Sequence, residues 1–232
     1  MQAETAKDML AHFNDPQAVA QYKEGPLRFV PAFAELHRMT AILLGERAPA
    51  DATVLVLGAG GGMEMKALAE AHPGWRFEGV DPAREMLKLA ERTLGPLAAR
   101  ATLREGYIED ASEGPFDAAA CLLTLHFLDR ETRVRTAAEI RRRLAPGAPF
   151  VAAHSSFPQD AATRPQWLSR YAAYAVASGA DPKMAETARA GIAAHLNLLS
   201  PEEDEAVLRE AGFTDVTPFY TAFTWRGWVA YA

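Results

Sequence analysis

Four glycines in five positions follow the apolar run TVLVL in the stretch TVLVLGAGGGMEMK, residues 53–66. Gly58, Gly60 and Gly62 form the pattern G-x-G-x-G between a predicted strand and a predicted helix. Glycine adopts positive φ and lets a ligand lie against the main chain, and a helix start offers free N–H groups and a positive dipole end. This turn is therefore a candidate binding site for a small molecule.

A carboxylate ends the next predicted strand. Asp81 stands in RFEGVDPAREML, twenty-three residues after Gly58. An acid at this position can accept hydrogen bonds from both hydroxyls of a ribose. Asp81 can also cap the helix that follows Pro82, which is the more common role of an acid at a strand end. The glycine turn and the acid together indicate a cofactor that contains adenosine.

Two common nucleotide patterns do not fit the turn. The dinucleotide fingerprint has glycine or alanine three residues after its second glycine, and Met63 stands there. A phosphate-binding Walker loop ends in G-K-[ST], which is absent from the sequence. S-adenosylmethionine is the ligand that best fits the order of strand, glycine turn, helix, strand and aspartate.

Short apolar runs alternate with amphipathic segments through the middle of the chain. The pattern predicts strands at 53–58, 76–81, 101–106, 116–124 and 149–156, and helices at 62–72, 83–95 and 130–147. Strands separated by helices of this length pair in parallel through right-handed crossovers. The fold class is therefore α/β with a doubly wound sheet.

Helical segments and a final hairpin frame this alternation. Residues 1–50 are predicted to form a helical N-terminal cap, and 157–198 a helical lid insertion after the fifth strand. A helix at 200–213 and two strands in 215–232 complete the pattern. No internal repeat or linker divides the sequence, so we expect a single domain over 1–232.

Composition excludes several classes of protein. The net charge of −6 does not favour binding to a nucleic acid by charge alone, and the dense basic run EIRRRLAPG is interpreted as a solvated helix end. The single cysteine, Cys121, cannot form an internal disulfide and fits the cytoplasm. The sequence has neither a signal-peptide pattern nor a run of about eighteen apolar residues. The histidines lack ligand spacing with Cys or acids, so we expect no metal site.

The chain resembles the class I S-adenosylmethionine-dependent methyltransferases over residues 50–232. The resemblance rests on the glycine turn followed in order by GVDPAREML, REGYIED, FDAAACLLTLHFL and RRRLAPGAPFV, and on the two closing strands. It implies a seven-stranded Rossmann-like sheet with the last strand antiparallel. It also implies that the cofactor lies over the carboxyl ends of the first strands.

Four stretches are similar to one branch of that superfamily, the carboxy-S-adenosylmethionine synthases of tRNA wobble-uridine modification. They are RFVPAF, EGYIED, LLTLHFL and the ending AGFTDVTPFYTAFTWRGWVA. The resemblance implies that the cofactor contacts a set of positions shared with these enzymes: Gly58, Ala59, Gly60, Gly62, Asp81, Pro82, Tyr107, Ile108, Leu122 and Phe33.

Several of these positions depart from the branch. Phe33 replaces a tyrosine, Tyr107 replaces an acid and Leu122 replaces an asparagine. The arginine that would pair with the extra carboxylate falls nearest to Arg189, in the loosely matching stretch ETARAGIAAHL. Val56 also stands where many methyltransferases have an acid. Because an unpaired buried carboxylate is unfavourable, these losses of polar contacts favour ordinary S-adenosylmethionine as the cofactor.

Methyl transfer depends mainly on positioning, and a general base helps when the acceptor is a hydroxyl or a protonated amine. His126 and His154 follow predicted strands at the ligand end of the sheet and are candidates for that base. Both can instead be packing or hydrogen-bonding residues. The substrate candidates are the aromatic and basic residues of the cap and lid: Tyr22, Arg28, Trp167, Tyr171 and Arg189. The aromatic stripe that Trp167 and Tyr171 share with Tyr174 can equally pack the lid on the core.

Three hypotheses remain open from the sequence. The first is a methyltransferase that acts on a small molecule, as a monomer or homodimer, without nucleic acid, membrane or metal. The second is an enzyme similar to the carboxy-S-adenosylmethionine synthases. The third is a cofactor-binding module that has lost catalysis, since Val56 and Tyr107 depart from the expected acids.

Overall fold

The computed structural model describes residues 9–22 and 24–232 of the chain. Residues 9–13 are helical and lead into α1 (Pro16–Gln21), α2 (Glu24–Phe29) and α3 (Phe33–Gly45). Helices thus occupy the described part of the region that was predicted as a helical cap. No helix within the described residues is both long and apolar enough to cross a membrane.

The described chain forms one sheet of seven strands. These are β1 (Thr53–Leu57), β2 (Arg76–Asp81), β3 (Ala101–Glu105), β4 (Ala118–Leu122), β5 (Pro149–Ser155), β6 (Thr214–Ala222) and β7 (Trp225–Tyr231). Their order is β3-β2-β1-β4-β5-β7-β6, with β7 antiparallel to both neighbours and the pairs among β1–β5 parallel. The predicted doubly wound seven-stranded α/β sheet is confirmed.

Strand order reverses between β1 and β4, which are neighbours although β2 and β3 come between them in sequence. In open parallel sheets, ligands bind outside the carboxyl ends of the strands at this reversal. The glycine turn follows β1 and therefore lies at this place.

The remaining helices are α4 (Met63–Ala71), α5 (Arg84–Leu94), α6 (Arg130–Arg142), α7 (Arg164–Ala177), α8 (Pro182–His195) and α9 (Pro201–Glu210). Side chains alternate along β1, so Val54 packs with α3 and α4 in one core cluster while Leu55 packs with α6 and α9 in another. Burial on both faces explains why the central strands β1 and β4 are nearly continuous apolar runs.

The cap, the lid helix α7 and the closing hairpin meet at Phe29. The ring of Tyr171 stacks on the ring of Phe29 with centroids 5.3 Å apart. Trp225 Nε1 donates a hydrogen bond to the Phe29 carbonyl at 3.0 Å, and the Tyr220 hydroxyl donates to the Pro31 carbonyl. These bonds fix the chain just before α3, which carries Phe33 into the site described next.

Candidate functional site

A cavity of ≈ 800 Å³ opens at the carboxyl ends of β1, β2 and β4. The glycine turn and the strand ends form one wall, and the N-terminal cap with the end of α8 forms the other. The cavity brings together all the positions that were predicted to contact a cofactor: Phe33, Gly58, Ala59, Gly60, Gly62, Asp81, Pro82, Tyr107, Ile108 and Leu122. Tyr22, one of the substrate candidates, lines it as well.

Glycine is required at two positions of the turn. Gly58 has φ +73°, and a Cβ atom there would lie 2.0 Å from Thr124 Oγ1. Gly62 has φ +76°, and its Cβ would lie 2.8 Å from the Cα of Ala90. These contacts let the turn, the loop after β4 and helix α5 approach closely. The turn is thus held tightly between its neighbours.

Asp81 joins the end of β2 to the glycine turn. Its Oδ2 accepts a hydrogen bond from Gly60 N at 2.9 Å, and its Oδ1 accepts one from Ala83 N at 2.8 Å. Burial raises the pKa of Asp81, and these two N–H donors act in the opposite direction. The carboxylate keeps unused lone pairs at the cavity wall, which fits the expected contact with ribose hydroxyls.

Glu64 places a second carboxylate in the cavity wall. It belongs to the first turn of α4, its exposed fraction is 8%, and its Oε1 has no hydrogen-bond partner within residues 9–22 and 24–232. Burial, followed by the charge of Asp81, raises the pKa of Glu64 well above its ordinary value. The sequence reasoning missed this residue, although an acid in the first helical turn after a glycine turn could have indicated it.

Tyr107 and Ile108 follow β3 and differ in exposure. Tyr107 is 56% exposed, whereas Ile108 is buried. The main-chain N–H of Tyr107 donates to Asp110 Oδ2 at 2.9 Å, which fixes the loop. Ile108 therefore offers a rigid apolar surface to the cavity, while the ring of Tyr107 lies at its rim.

Aromatic residues of the cap close the cavity opposite the sheet. The ring centroid of Phe13 lies 6.1 Å from that of Tyr22 and 5.9 Å from that of Phe127, which follows β4. Burial, with the charges of Asp81 and Glu64, raises the pKa of Tyr22. The phenol therefore stays neutral and contributes an apolar face with one hydroxyl.

Two imidazoles that the sequence reasoning did not select line this cavity. His37 is buried on α3 beside Phe33, with ring centroids 4.3 Å apart, and burial lowers the pKa of His37 to about 4. His195 ends α8 and is exposed, and Asn197 follows it in the wall. The spacing of these residues along the chain carries no local signal that relates them to the glycine turn.

His126 and His154, the predicted bases, do not line the cavity. His126 Nδ1 accepts a hydrogen bond from Ser155 N at 3.1 Å, and burial lowers the pKa of His126 well below its ordinary value. His154 lies on the face of the sheet that packs against α9, beside Trp228 of the neighbouring strand β7. Its Nε2 is 3.1 Å from Asp204 Oδ1. Both rings are buried in interactions within the fold, so the geometry does not support either as a base.

A buried ion pair supports the far wall of the cavity from behind. Arg133 on α6 forms an ion pair with Asp204 on α9, and both side chains are buried. Arg133 also donates to the carbonyls of Leu128 at 3.1 Å and Asn197 at 2.5 Å. Burial alone would raise the pKa of Asp204, but His154 and Arg133 lower it to about 2. The charged pair thus holds two cavity-lining loops in place.

The other substrate candidates lie outside the cavity lining. Arg28 pairs with Glu24 at 2.8 Å, and Arg189 pairs with Glu186 on its own helix. Trp167 packs beside Arg170, whose guanidinium carbon lies 4.5 Å from the centroid of the indole ring. Tyr171 is buried against Phe29. The expectation that these residues contact a substrate is not supported, because each is paired or packed elsewhere.

The lining of the cavity is acidic. Its described residues carry the carboxyl groups of Glu64, Asp81 and Glu109 but no arginine or lysine. An anionic group would therefore meet only N–H groups, hydroxyls and imidazoles as donors there, whereas several acids are available for a cationic group. A ligand with positive charge and hydroxyl groups matches this lining, as S-adenosylmethionine does.

The comparisons with known proteins agree with this geometry. A family model described as "Methyltransferase domain" matches residues 54–147, which include the glycine turn, Asp81 and the strands up to β4. Among curated proteins, a carboxy-S-adenosyl-L-methionine synthase from Campylobacter lari is 21% identical over 217 residues, covering 94% of this chain and 93% of that protein.

Solved structures with the same fold include an O-methyltransferase family protein from Burkholderia thailandensis. Its TM-score is 0.70 at 16% identity, over 97% of this chain and 62% of that one. Human N-acetylserotonin methyltransferase in complex with S-adenosylmethionine has a TM-score of 0.66 at 16% identity, over 96% of this chain and 58% of that one.

Proposed function

We propose that this chain, which matches a methyltransferase domain over residues 54–147 and has the fold of S-adenosylmethionine-dependent methyltransferases, transfers a methyl group to a small, largely apolar acceptor. The observation that carries this proposal is the cavity itself. Nucleotide-binding features line its sheet side, and apolar residues of the cap and lid line the opposite side. Its volume of ≈ 800 Å³ lies within the usual range of about 300–1,000 Å³ for small-molecule sites.

The cofactor half of the cavity consists of the glycine turn, Asp81 and Ile108. The main-chain N–H groups in the first turn of α4 suit the carboxylate of the cofactor's amino-acid part. Asp81 suits the ribose hydroxyls, and Ile108 suits a flat apolar base. When bound, S-adenosylmethionine supplies a methyl group on a positively charged sulfonium. The sulfur is a good leaving group because it departs as a neutral thioether.

The acceptor half consists of Phe13, Phe33, Phe127 and the two imidazoles. The aromatic residues exclude water and hold the acceptor, so positioning is their main contribution. His37 is uncharged near neutral pH because its pKa is about 4, and it therefore presents a hydrogen-bonding ring without a positive charge. This wall favours a small acceptor with a hydroxyl or amine group over an anionic one.

Nucleic acid is disfavoured as the acceptor by the distribution of charge. Two of the three arginines in the basic run at the end of α6 form ion pairs with nearby acids, Arg142 with Glu113 and Arg143 with Glu139. The positive charge of this run is thus largely neutralised within the fold, and an extended basic surface is needed to hold a polyanion.

The test is release of S-adenosylhomocysteine in the presence of small hydroxyl, amine and carboxyl compounds, with bulk tRNA assayed in parallel. We expect turnover with one or more small compounds and none with tRNA, and we expect Asp81→Ala to abolish most of it. Turnover on tRNA alone would contradict the small-acceptor assignment.

A carboxy-S-adenosylmethionine synthase activity is the second candidate, because the curated match of 21% identity extends over 94% of the chain. The cavity lining argues against it, since an additional carboxylate would meet Glu64, Asp81 and Glu109 and no described arginine or lysine. Mass spectrometry of the cofactor after incubation with prephenate separates the two candidates: a carboxylated product would establish the synthase.

A further inference from the structure

Glu64 is a buried acid whose Oε1 has no hydrogen-bond donor among the residues that the structure describes. The residue is 8% exposed and lies in the wall of the cavity, in the first turn of α4 directly after the glycine turn. Asp81 differs, because each of its oxygens already accepts a main-chain N–H. A buried carboxylate without hydrogen bonds is unfavourable, so its retention in a ligand cavity points to a partner that arrives with the ligand.

Among the described residues, the ionisable groups that interact by charge with Glu64 are acids. They are Asp81 from β2, Tyr22 from the cap and Cys121 from β4. The protein therefore supplies no positive partner for Glu64 among these neighbours. The positive dipole end of α4 offsets part of the negative charge, since Glu64 stands in the first turn of that helix.

We propose that the Glu64 carboxylate binds the α-ammonium group of the cofactor's amino-acid part, an assignment that rests on the proposed function. S-adenosylmethionine carries two positive groups, a sulfonium and an ammonium. The sulfonium has no N–H or O–H, so it cannot satisfy an oxygen that lacks a donor, whereas an ammonium brings three donors. A charge-assisted hydrogen bond of this kind is about twice as strong as a neutral one.

The test compares three probes by calorimetry. S-adenosylmethionine has both cations, S-adenosylhomocysteine has only the ammonium, and 5′-methylthioadenosine lacks the amino-acid part. In Glu64→Gln, which keeps the side-chain volume, we expect binding of the first two to weaken on the order of tenfold to a hundredfold, the range for losing a hydrogen bond to a charged group. Binding of 5′-methylthioadenosine should stay unchanged.

Glu70→Gln is the matched control, because Glu70 lies on the same helix but is exposed and pairs with Lys66 at 3.8 Å. It should bind all three probes as the wild type does. A second readout is proton release on binding of S-adenosylhomocysteine, measured in buffers of different ionisation enthalpy. Wild type should release a proton as the ammonium favours ionised Glu64, and Glu64→Gln should release less.

The outcomes separate this assignment from the proposed function. Equal loss for 5′-methylthioadenosine would show that Glu64 supports the turn and does not bind the ammonium, and loss for S-adenosylmethionine alone would point to the sulfonium. Unchanged binding of S-adenosylhomocysteine to Glu64→Gln would also overturn the assignment. If wild type bound none of the probes, the proposed function would fail as well.

Discussion

The carboxylate of Asp81 accepts a hydrogen bond from the main-chain N–H of Gly60 at 2.9 Å. The acid that ends β2 is therefore bonded to the turn that ends β1. Because this bond joins two elements of the protein itself, Asp81 has a structural role in the turn as well as the proposed role toward the ribose. A substitution at Asp81 is expected to affect both.

Asp81→Ala should weaken binding of S-adenosylhomocysteine by about 1–3 kcal/mol, because main-chain donors and ribose hydroxyls both lose an acceptor. Asp81→Asn keeps one acceptor oxygen and should lose less. Calorimetry measures both variants, with Asp51→Ala, an exposed acid before β1, as the control. Unchanged affinity in Asp81→Ala would remove this residue from the binding site.

Gly58→Ala should lower the free energy of unfolding by about 2 kcal/mol more than Gly147→Ala. The two glycines have nearly the same φ, +73° and +74°, so the backbone strain of an alanine is similar. Only at Gly58 would the new Cβ overlap Thr124, at 2.0 Å from its Oγ1, whereas no atom lies within 4 Å at Gly147. Urea unfolding measures the difference, and equal losses would mean that the Thr124 loop moves away freely.

Glu64→Gln should become increasingly more stable than wild type as pH rises above about 4, the unfolded pKa of a glutamate. Burial and Asp81 raise the native pKa of Glu64, so above the unfolded value of about 4.3 the unfolded chain loses this proton first. Wild type therefore loses stability up to the raised native pKa, and the glutamine variant lacks this loss. The pKa of Asp81 is also raised, but Asp81 is present in both proteins. Its contribution to the pH dependence therefore cancels when the variant is compared with the wild type.

Urea unfolding without ligand at several pH values checks this prediction. Glu70→Gln should keep a nearly constant difference from wild type, because that carboxyl is exposed. A Glu64→Gln difference that does not change with pH would contradict the predicted shift of the Glu64 pKa.

Arg133→Met should lower the free energy of unfolding by about 3–5 kcal/mol, because it leaves the Asp204 carboxylate buried without its main partner. The control is Arg130→Ala on the same helix, which removes an exposed ion pair with Glu210 and should change the free energy of unfolding far less. Combining Arg133→Met with Asp204→Leu should recover part of the loss. Similar losses in the two single variants would show that burial adds nothing to the Arg133 pair.

The sheet and its first ligand-binding turn were predictable from the sequence because their signals are local. β2 was predicted at 76–81 and is observed as Arg76–Asp81, and the predicted turn holds Gly58 and Gly62 at positive φ. These signals depend on residues next to one another in the chain, such as an apolar run that ends in glycine.

The opposite wall was not predictable because it forms by packing between distant segments. His37, His195 and Phe13 lie far apart in sequence and meet the glycine turn only in the folded chain. A helical stripe such as Trp167 and Tyr171 has the same spacing whether it faces a ligand or a core. For His154 a signal existed: alternation along β5 places it on the same side as Phe150 and Ala152, away from the face of Val151 and Ala153.

The bonds from Trp225 and Tyr220 to the main chain at Phe29 and Pro31 have a consequence for biosynthesis. During translation the glycine turn and Asp81 leave the ribosome long before β6 and β7, which hold the segment leading into α3. Domains generally fold as units as the chain emerges. In the nascent protein, the segment that leads into α3 therefore lacks these two hydrogen bonds until the hairpin has been synthesised. Until then, the part of the cavity wall that α3 carries is not held in place by the hairpin.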